Sequence, residues 1–207
     1  MNHLSPQDIE AESMRIIDRE AGSHSFSEDE WTIVRRIIHA TADFEVMKTI
    51  RFHPQAIAAG IAAMKQGNPV YTDTQMLKAA IGGKLQEQYG CSAVCLVADK
   101  EVQSVSKASG ITRSAAAMQA AAALLQNGIV AIGNAPTALF EAIRLCREAV
   151  MSPALIIGMP VGFVGAAESK QALLESGLVS ITMLGRKGGT PAAVATINAL
   201  MQLAGGR

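Results

Sequence analysis

The chain has 207 residues, of which 49% are hydrophobic and 4% aromatic, and its 18 basic and 18 acidic side chains give a formal net charge of zero. This length is typical of one compact domain that buries a core without disulfides or metals, and the balanced charge argues against nucleic acid or an anionic membrane as a partner. An odd number of cysteines, three, favours reduced thiols in a cytoplasmic protein over the disulfide framework of a secreted one.

Helix-start signals open the chain. The stretch "SPQD" from Ser5 supplies an N-cap serine, a proline at the first helical position and an acid at the third. The stretch "SEDE" from Ser27 is a capping box, in which Glu30 reaches back to the Ser27 amide. We expect no signal peptide, and no stretch reaches the roughly 20 apolar residues of a membrane span. The predicted helices of this part of the chain cover residues 6–21, 28–40 and 54–65.

Beyond residue 67, short apolar runs of β-favouring residues alternate with helical runs. Five buried strands separated by helices form βαβ units, and such units build a parallel sheet with helices on both faces. We therefore predict an α/β protein with a flavodoxin-like, doubly wound, five-stranded parallel sheet and an N-terminal helical arm. A single domain spans 1–207, with a mainly helical part over 1–67 and an α/β core over 68–207. The predicted strands are 69–72, 92–98, 128–133, 154–159 and 179–184, and the helices that follow them are 74–88, 112–126, 136–149, 167–176 and 190–204.

Glycines and polar side chains collect where the predicted strands end. "GMPVGFVGAAES" follows the fourth strand and "GRKGGTP", with Arg186 and Lys187, follows the fifth. Doubly wound sheets bind ligands at this edge, glycine allows close backbone approach, and helix N-termini attract anions. The pattern favours a site for carboxylates or phosphates, although such glycines also make tight turns in proteins that bind nothing there. Further polar residues at these strand ends are Asp73, Asp99, Asn134 and Thr137.

Motifs for common cofactors are missing from the sequence. The glycines of "GMPVGFVG" lack the G-x-G-x-x-G spacing, "GRKGGT" lacks the Walker spacing, and no G-x-S-x-G elbow occurs. The four histidines show no metal-ligand spacing, and Cys91 and Cys95 have no second pair, so they are better read as small buried hydrophobic residues. We therefore predict no protein-bound metal and no cofactor.

The stretch "VRRIIHATADFEV" (34–46) places His39 beside isoleucines and between charged residues. Arg35, His39 and Asp43 are spaced four apart and share one helix face. This spacing alone favours a structural role for His39, either in a surface ion-pair ladder or at the edge of a groove. Histidine is also the side chain best suited to donate and accept protons near neutral pH, so a catalytic role stays open.

Six stretches, in this order, resemble the precorrin-8X methylmutase family and together span most of the chain. The resemblance implies an isomerase of cobalamin biosynthesis that moves a methyl group from C-11 to C-12 of precorrin-8 or cobalt-precorrin-8, giving hydrogenobyrinate or cobyrinate. It also implies a cytoplasmic homodimer with its pocket near the subunit interface and no cofactor, any cobalt being part of the corrinoid substrate. The stretches are "RRIIHATADFE", "GNPVYTDTQM", "GITRSAAAM", "AIGNAPTALFEA", "GMPVGFVGAAESK" and "GRKGGTPAAVA".

The resemblance also implies site residues. His39 falls where the family has its catalytic histidine, Ser13 matches a serine that contacts substrate, and Arg113 matches a pocket arginine. The substrate is a flat apolar macrocycle fringed by carboxylates, which arginine can bind with two hydrogen bonds. Arg36 and Arg186 are therefore further candidates for its rim. The apolar floor is expected from residues of the loop after the fourth strand, namely Met159, Val161, Phe163 and Val164.

Two other functions stay open at this point. A non-catalytic corrinoid carrier would have the same pocket, and a nucleotide-dependent flavodoxin-like protein would have the same fold. The segment "ATADF" after His39 is more similar to the branch of the family that uses cobalt-loaded substrate.

Overall fold

The computed structural model describes residues 5–206, which form ten α-helices and six β-strands around one sheet. All eight predicted helices are present, and the one over 112–126 ends in a 3-10 turn at Ala122–Leu125. Ser5 and Ser27 form the predicted helix caps through hydrogen bonds with Asp8 and Glu30. The helices are α1 (Pro6–Ala21), α2 (Glu28–Thr41), α3 (Val46–Thr49), α4 (Ala56–Lys65), α5 (Gln75–Tyr89), α6 (Lys100–Ser109), α7 (Arg113–Ala121), α8 (Pro136–Arg147), α9 (Ala166–Glu175) and α10 (Thr190–Ala204). The strands are β1 (Ile50–Phe52), β2 (Val70–Thr72), β3 (Ala93–Val94), β4 (Ile129–Ile132), β5 (Leu155–Gly158) and β6 (Ser180–Met183).

The sheet has the order β1-β6-β5-β4-β2-β3. Strands β2 to β6 run parallel, and their order along the sheet, 2-1-3-4-5 when counted from β2, is one of the doubly wound orders. The prediction of a purely parallel, five-stranded sheet is wrong, because β1 adds a sixth strand antiparallel to β6, with Ile50 opposite Met183. A three-residue strand with an exposed Arg51 at its centre gives too short an alternation to recognise in sequence.

A second difference concerns the predicted strand at 92–98. Only Ala93–Val94 pairs with a neighbouring strand, and the chain then turns and enters α6, which the sequence pattern did not predict. Asp99 is the N-cap of this helix, and its carboxylate accepts hydrogen bonds from the Glu101 and Val102 amides. Asp99 thus starts a helix, which accounts for its position after the apolar run.

The sheet is buried on both faces. In β4, Ile129 and Ala131 point into one hydrophobic cluster, and Val130 and Ile132 point into another. Helices α2, α4, α5 and α10 cover the first face, and α7, α8 and α9 cover the second. This alternation explains why the strands of a parallel sheet appear as continuous apolar runs.

The N-terminal helices are packed onto this layered core. The buried face of α2, which includes Ile33, Ile37 and Ile38, lies against α10, and α1 lies against α2. Because α10 begins at the carboxyl edge of the sheet, its neighbour α2 is held beside the edge where the strand-end loops collect. Within residues 5–206, no helix has the length and apolar character needed to cross a bilayer.

Candidate functional site

Asp73 joins two strand-end loops at the carboxyl edge of the sheet. It is buried after β2, and its carboxylate accepts hydrogen bonds from the Gly133 amide at 3.0 Å, the Asn134 amide at 2.8 Å and the Ala135 amide at 2.7 Å. Burial raises the pKa of this carboxyl, and the three N–H groups oppose the shift because they stabilise its ionised form. Asp73 therefore holds the loop after β4 in place.

The loops after β5 and β6 are joined by backbone hydrogen bonds. The Gly162 amide donates to the Arg186 carbonyl at 3.1 Å, and the Gly189 amide donates to the Met159 carbonyl at 2.8 Å. The Arg186 guanidinium lies 5.5 Å from the centre of the Phe163 ring, a cation–π arrangement. Together these loops form one surface that carries an exposed cation beside an exposed aromatic ring.

This surface is strongly apolar. Phe163 is 83% exposed and Val164 is 89% exposed, and elsewhere at the carboxyl edge Met76, in the first turn of α5, is 71% exposed. Exposed apolar side chains that are neighbours on a surface often mark the place where a ligand or another chain binds. Met159 differs from the other three expected floor residues because it is fully buried. Its amide continues the sheet by donating a hydrogen bond to the Ile132 carbonyl at 2.8 Å, so the prediction of Met159 as a floor residue is wrong.

Three helices begin at this edge without a side-chain cap, namely α8, α9 and α10. By contrast, Thr74 and Thr112 cap α5 and α7. Uncapped N-termini present amide groups and a positive dipole end, which favour anions such as carboxylates. The carboxyl edge therefore combines an apolar surface with features that bind negative charge.

Arg113 lies at the same edge, as the first residue of α7. It is exposed, and within residues 5–206 its guanidinium has no hydrogen-bond or ion-pair partner. The preceding Thr112 hydroxyl lies 2.7 Å from the Thr137 hydroxyl, which joins the start of α7 to the start of α8. Arg113 is thus available to bind an acidic ligand.

His39 lies exposed on the last turn of α2, and no described residue forms a hydrogen bond with its imidazole. The charged residues four positions before and after it bind elsewhere: Arg35 pairs with Asp18 at 2.9 Å, and Asp43, which lies beyond the end of α2, pairs with Lys187 at 2.7 Å. The interpretation of Arg35, His39 and Asp43 as an ion-pair ladder is therefore wrong. Both imidazole nitrogens are free to meet a ligand.

The end of α2 is tied to the loop after β6. The Lys187 ammonium lies 2.7 Å from an Asp43 carboxylate oxygen and 2.6 Å from a Glu45 carboxylate oxygen. These bonds raise the pKa of Lys187 and lower that of Asp43. They bring the segment that carries His39 to the loop that carries Arg186.

Two of the candidate site residues, Ser13 and Arg36, already bind other groups of the protein. The Ser13 hydroxyl donates to the Ile9 carbonyl at 2.8 Å within α1. The half-buried Arg36 lies 3.0 Å from a Glu10 carboxylate oxygen and donates to the Gln202 side-chain oxygen at 3.1 Å. Arg36 thus links α2 to α1 and α10, and a substrate carboxylate would have to displace one of these partners.

Lys170 is a polar residue of this region that the sequence pattern did not indicate. It is fully buried on α9, and its ammonium donates to the Lys187 carbonyl at 2.6 Å. Burial lowers the pKa of Lys170 to about 8. The stretch "AAESKQ" resembles the polar side of an ordinary helix, so no local signal distinguishes this lysine from a solvated one.

Neither the cavity beside α1 nor a metal-ligand cluster of residues 5–206 coincides with the candidate site. A cavity of about 510 Å³ between α1, α2 and the end of α10 is lined by Asp18, Trp31 and Arg35, among others, but by none of the candidate site residues. Residues 5–206 contain no group of three His, Cys, Asp or Glu side chains that could hold a metal ion, and His3 lies outside the described residues. Cys91 and Cys95 are buried in the interior, as predicted.

Known proteins are similar to this chain in sequence and in fold. A profile of the precorrin-8X methylmutase family matches residues 8–203. The cobalt-precorrin-8 methylmutase of Leptospira interrogans is 44% identical over 97% of this chain and 95% of its own length, and the precorrin-8X methylmutase of a Sinorhizobium species is 38% identical over 91% and 90%. The crystal structure of the precorrin-8X methyl mutase of Thermus thermophilus matches with a TM-score of 0.87 and 42% identity, over 95% of this chain and 97% of that one. The chain therefore belongs to the precorrin-8X methylmutase family, the isomerases of cobalamin biosynthesis.

Proposed function

We propose that this chain moves a methyl group from C-11 to C-12 of cobalt-precorrin-8 and that His39 is the proton donor. The observation that carries the assignment of His39 is its exposed imidazole, which no described residue binds, on the last turn of α2. Its position is tied through Lys187 to the apolar loops at the carboxyl edge. A relative named cobalt-precorrin-8 methylmutase, similar over nearly the full chain, supports the reaction independently of His39.

The reaction requires a proton more than it requires a nucleophile. A proton delivered to the conjugated ring makes the macrocycle electron-poor while the methyl group migrates, and the proton must leave again because substrate and product are isomers. One histidine can act as donor and then acceptor, since its ordinary pKa is about 6.5. Such a positioned group contributes roughly 100- to 10,000-fold to a rate.

The remaining residues bind the macrocycle. Phe163 and Val164 provide an apolar floor for the ring, and Arg113 and Arg186 bind carboxylates at its rim. The free N-termini of α9 and α10 favour the same anionic groups. Ser13 and Arg36 remain proposed substrate ligands, and Arg36 would exchange its Glu10 partner for a substrate carboxylate.

We also propose that the protein works as a homodimer whose partner chain completes the pocket. The floor residues Phe163 and Val164 are almost fully exposed, and none of the candidate residues lines the cavity beside α1. A macrocycle bound there would keep one face in water unless a second chain covered it. The family resemblance implies the same arrangement.

A single-turnover experiment followed by absorption spectroscopy tests the proposed function. Stoichiometric protein is mixed with cobalt-loaded or metal-free precorrin-8, and we expect conversion to the corrin product by the natural chain, with the cobalt-loaded substrate reacting faster. His39→Ala should bind substrate without converting it. Binding without conversion by the natural chain would instead indicate a corrinoid carrier, and full activity of His39→Ala would disprove the role of His39.

A further inference from the structure

Lys187 connects two parts of the site that are far apart in sequence. Its ammonium binds the Asp43 carboxylate at 2.7 Å and the Glu45 carboxylate at 2.6 Å, both just beyond the end of α2. Asp43 also accepts a hydrogen bond from the Glu45 amide at 2.9 Å, so the two acids form one unit. We call Lys187, Asp43 and Glu45 the clamp.

The loop side of the clamp is fixed. The Lys187 carbonyl accepts a hydrogen bond from the buried Lys170 ammonium at 2.6 Å. At Gly188, where φ is 154°, an added Cβ would lie 2.5 Å from the Met159 carbonyl oxygen, so this backbone packs closely against the loop after β5 and leaves no room for a side chain. Lys187 is therefore an anchor to which the end of α2 is attached.

The helix side of the clamp is the part that needs an anchor. Only three residues separate His39 from Asp43, and one of them, Ala42, adopts a left-handed conformation with φ of 52°. A residue with a Cβ is disfavoured in that conformation, so surrounding contacts must hold it there. A loss of the clamp would release this turn and, with it, the orientation of the adjacent His39.

We infer that Lys187 is a positioning residue that fixes the orientation of the His39 imidazole relative to Phe163 and Val164, the floor of the site. This inference rests on the proposed function. Lys187 stands in the "GRKGGTP" loop, whose sequence favours a carboxylate or phosphate site, but its ammonium is already bound to two carboxylates of the protein. It acts through Asp43 and Glu45 on the orientation of His39. Exposed ion pairs add little to global stability, so the clamp affects catalytic geometry more than folding.

The test compares Lys187→Met with Lys187→Arg, and with the matched control Lys48→Met, which changes an exposed lysine of α3 close in sequence to Asp43 and Glu45. For Lys187→Met we expect kcat to fall on the order of 10- to 100-fold, because small displacements of a catalytic group are that costly, with KM within about twofold. Lys187→Arg should recover most of the rate, Lys48→Met should match the natural chain, and melting temperatures should stay nearly equal.

A spectroscopic readout makes the test independent of turnover. The NMR carbon–proton cross-peak of the His39 imidazole, assigned by its loss in His39→Ala, should move in Lys187→Met and stay in place in Lys48→Met. The double variant Asp43→Asn, Glu45→Gln removes the clamp from the other side and should reproduce both effects, even if Lys187→Met does not fold.

The outcomes separate this inference from the proposed function. Unchanged kcat and an unmoved His39 signal in Lys187→Met would overturn the inference, and so would a raised KM with unchanged kcat, which would make Lys187 a substrate ligand. If His39→Ala keeps its activity, the proposed function fails whatever Lys187→Met does. If His39→Ala is inactive while Lys187→Met is fully active, the clamp inference alone fails.

Discussion

The ammonium of Lys170 donates a hydrogen bond to the carbonyl oxygen of Lys187 at 2.6 Å, and it is the charged group of a fully buried side chain. A lone backbone carbonyl compensates only part of the cost of burying a charge. This cost lowers the pKa of Lys170 from its ordinary 10.5 to about 8. Lys170 therefore holds the loop after β6 in place with a group whose ionisation opposes folding.

Stability should depend on pH through Lys170. Between pH 8 and 10.5 the unfolded chain keeps the proton that the folded chain has released, so the free energy of unfolding should rise with pH by up to about 3 kcal/mol. Urea unfolding of the natural chain and Lys170→Met at pH 7.5, 9 and 10.5 measures this, and the free energy of unfolding of the natural chain should rise relative to that of Lys170→Met. Burial raises the pKa of Cys146 to about 11, which has the opposite effect but is common to both proteins. Free energies of unfolding that change with pH by the same amount in the two proteins would contradict the prediction.

Asp73→Asn should be strongly destabilising. The asparagine side chain offers one acceptor oxygen in place of two, so at least one of the three amides that Asp73 binds would be left buried without a partner. We expect the free energy of unfolding to fall by roughly 2–4 kcal/mol. Asp99→Asn is the matched control, because asparagine caps helices as well as aspartate does. Equal stability of the two variants in urea unfolding would contradict a joining role for Asp73.

Arg113→Gln and Arg186→Gln should weaken substrate binding. Each removes a charge-assisted hydrogen bond to a rim carboxylate, so KM should rise on the order of 10-fold while kcat stays nearly constant. The control is Arg147→Gln, an exposed arginine at the far end of α8, away from the carboxyl edge. Steady-state kinetics measures all three. An unchanged KM for both site variants would exclude these arginines from the rim.

The role of Arg36 can be separated from that of its partner Glu10. If Arg36 binds a substrate carboxylate, Arg36→Gln should raise KM, on the order of 10-fold, whereas Glu10→Gln should lower it because the competing carboxylate is gone. If Arg36 only links α1 to α2, both variants should lose a similar, small amount of stability and leave KM unchanged. Kinetics and thermal unfolding of the same two proteins decide between these roles.

The proposed homodimer should depend on the exposed floor. Replacing Phe163 and Val164 by serine removes two large apolar side chains from the surface expected to meet the partner chain. We expect a shift toward monomer in light scattering across a dilution series, together with weaker corrinoid binding. The control Leu124→Ser changes an exposed apolar residue outside the carboxyl edge. A dimer that persists unchanged in the double variant would place the interface elsewhere.

Local signals predicted most of the secondary structure, because helix caps and apolar runs are encoded in neighbouring residues. They missed β1, whose three residues depend on pairing with β6, and the four-residue helix α3. They also missed α6, whose start at Asp99 lies directly after an apolar run that resembled a longer strand. The exact end of a buried strand is equally hard to locate in the sequence. Met159 therefore appeared as a floor residue of the following loop, whereas its amide continues the pairing of β5 with β4 and its side chain is buried.

The candidate site was less predictable than the fold, because it depends on contacts between distant segments. Spacing suggested that Arg35 and Asp43 pair with His39, yet they pair with Asp18 and Lys187, 17 and 144 residues away. No property of "VRRIIHATADFEV" by itself reveals that its charges are bound elsewhere. The family resemblance indicated His39 for another reason, namely the position of the family's catalytic histidine.

Strand β1 protects the sheet as well as extending it. It covers the side of β6 that would otherwise present unpaired amides and carbonyls, and at the opposite side of the described sheet β3 offers only two residues. Unpaired strands of ordinary length are templates on which other chains polymerise. With both borders this short, the sheet offers little template for fibrillar aggregation, even though Phe163 and Val164 are exposed at its carboxyl edge.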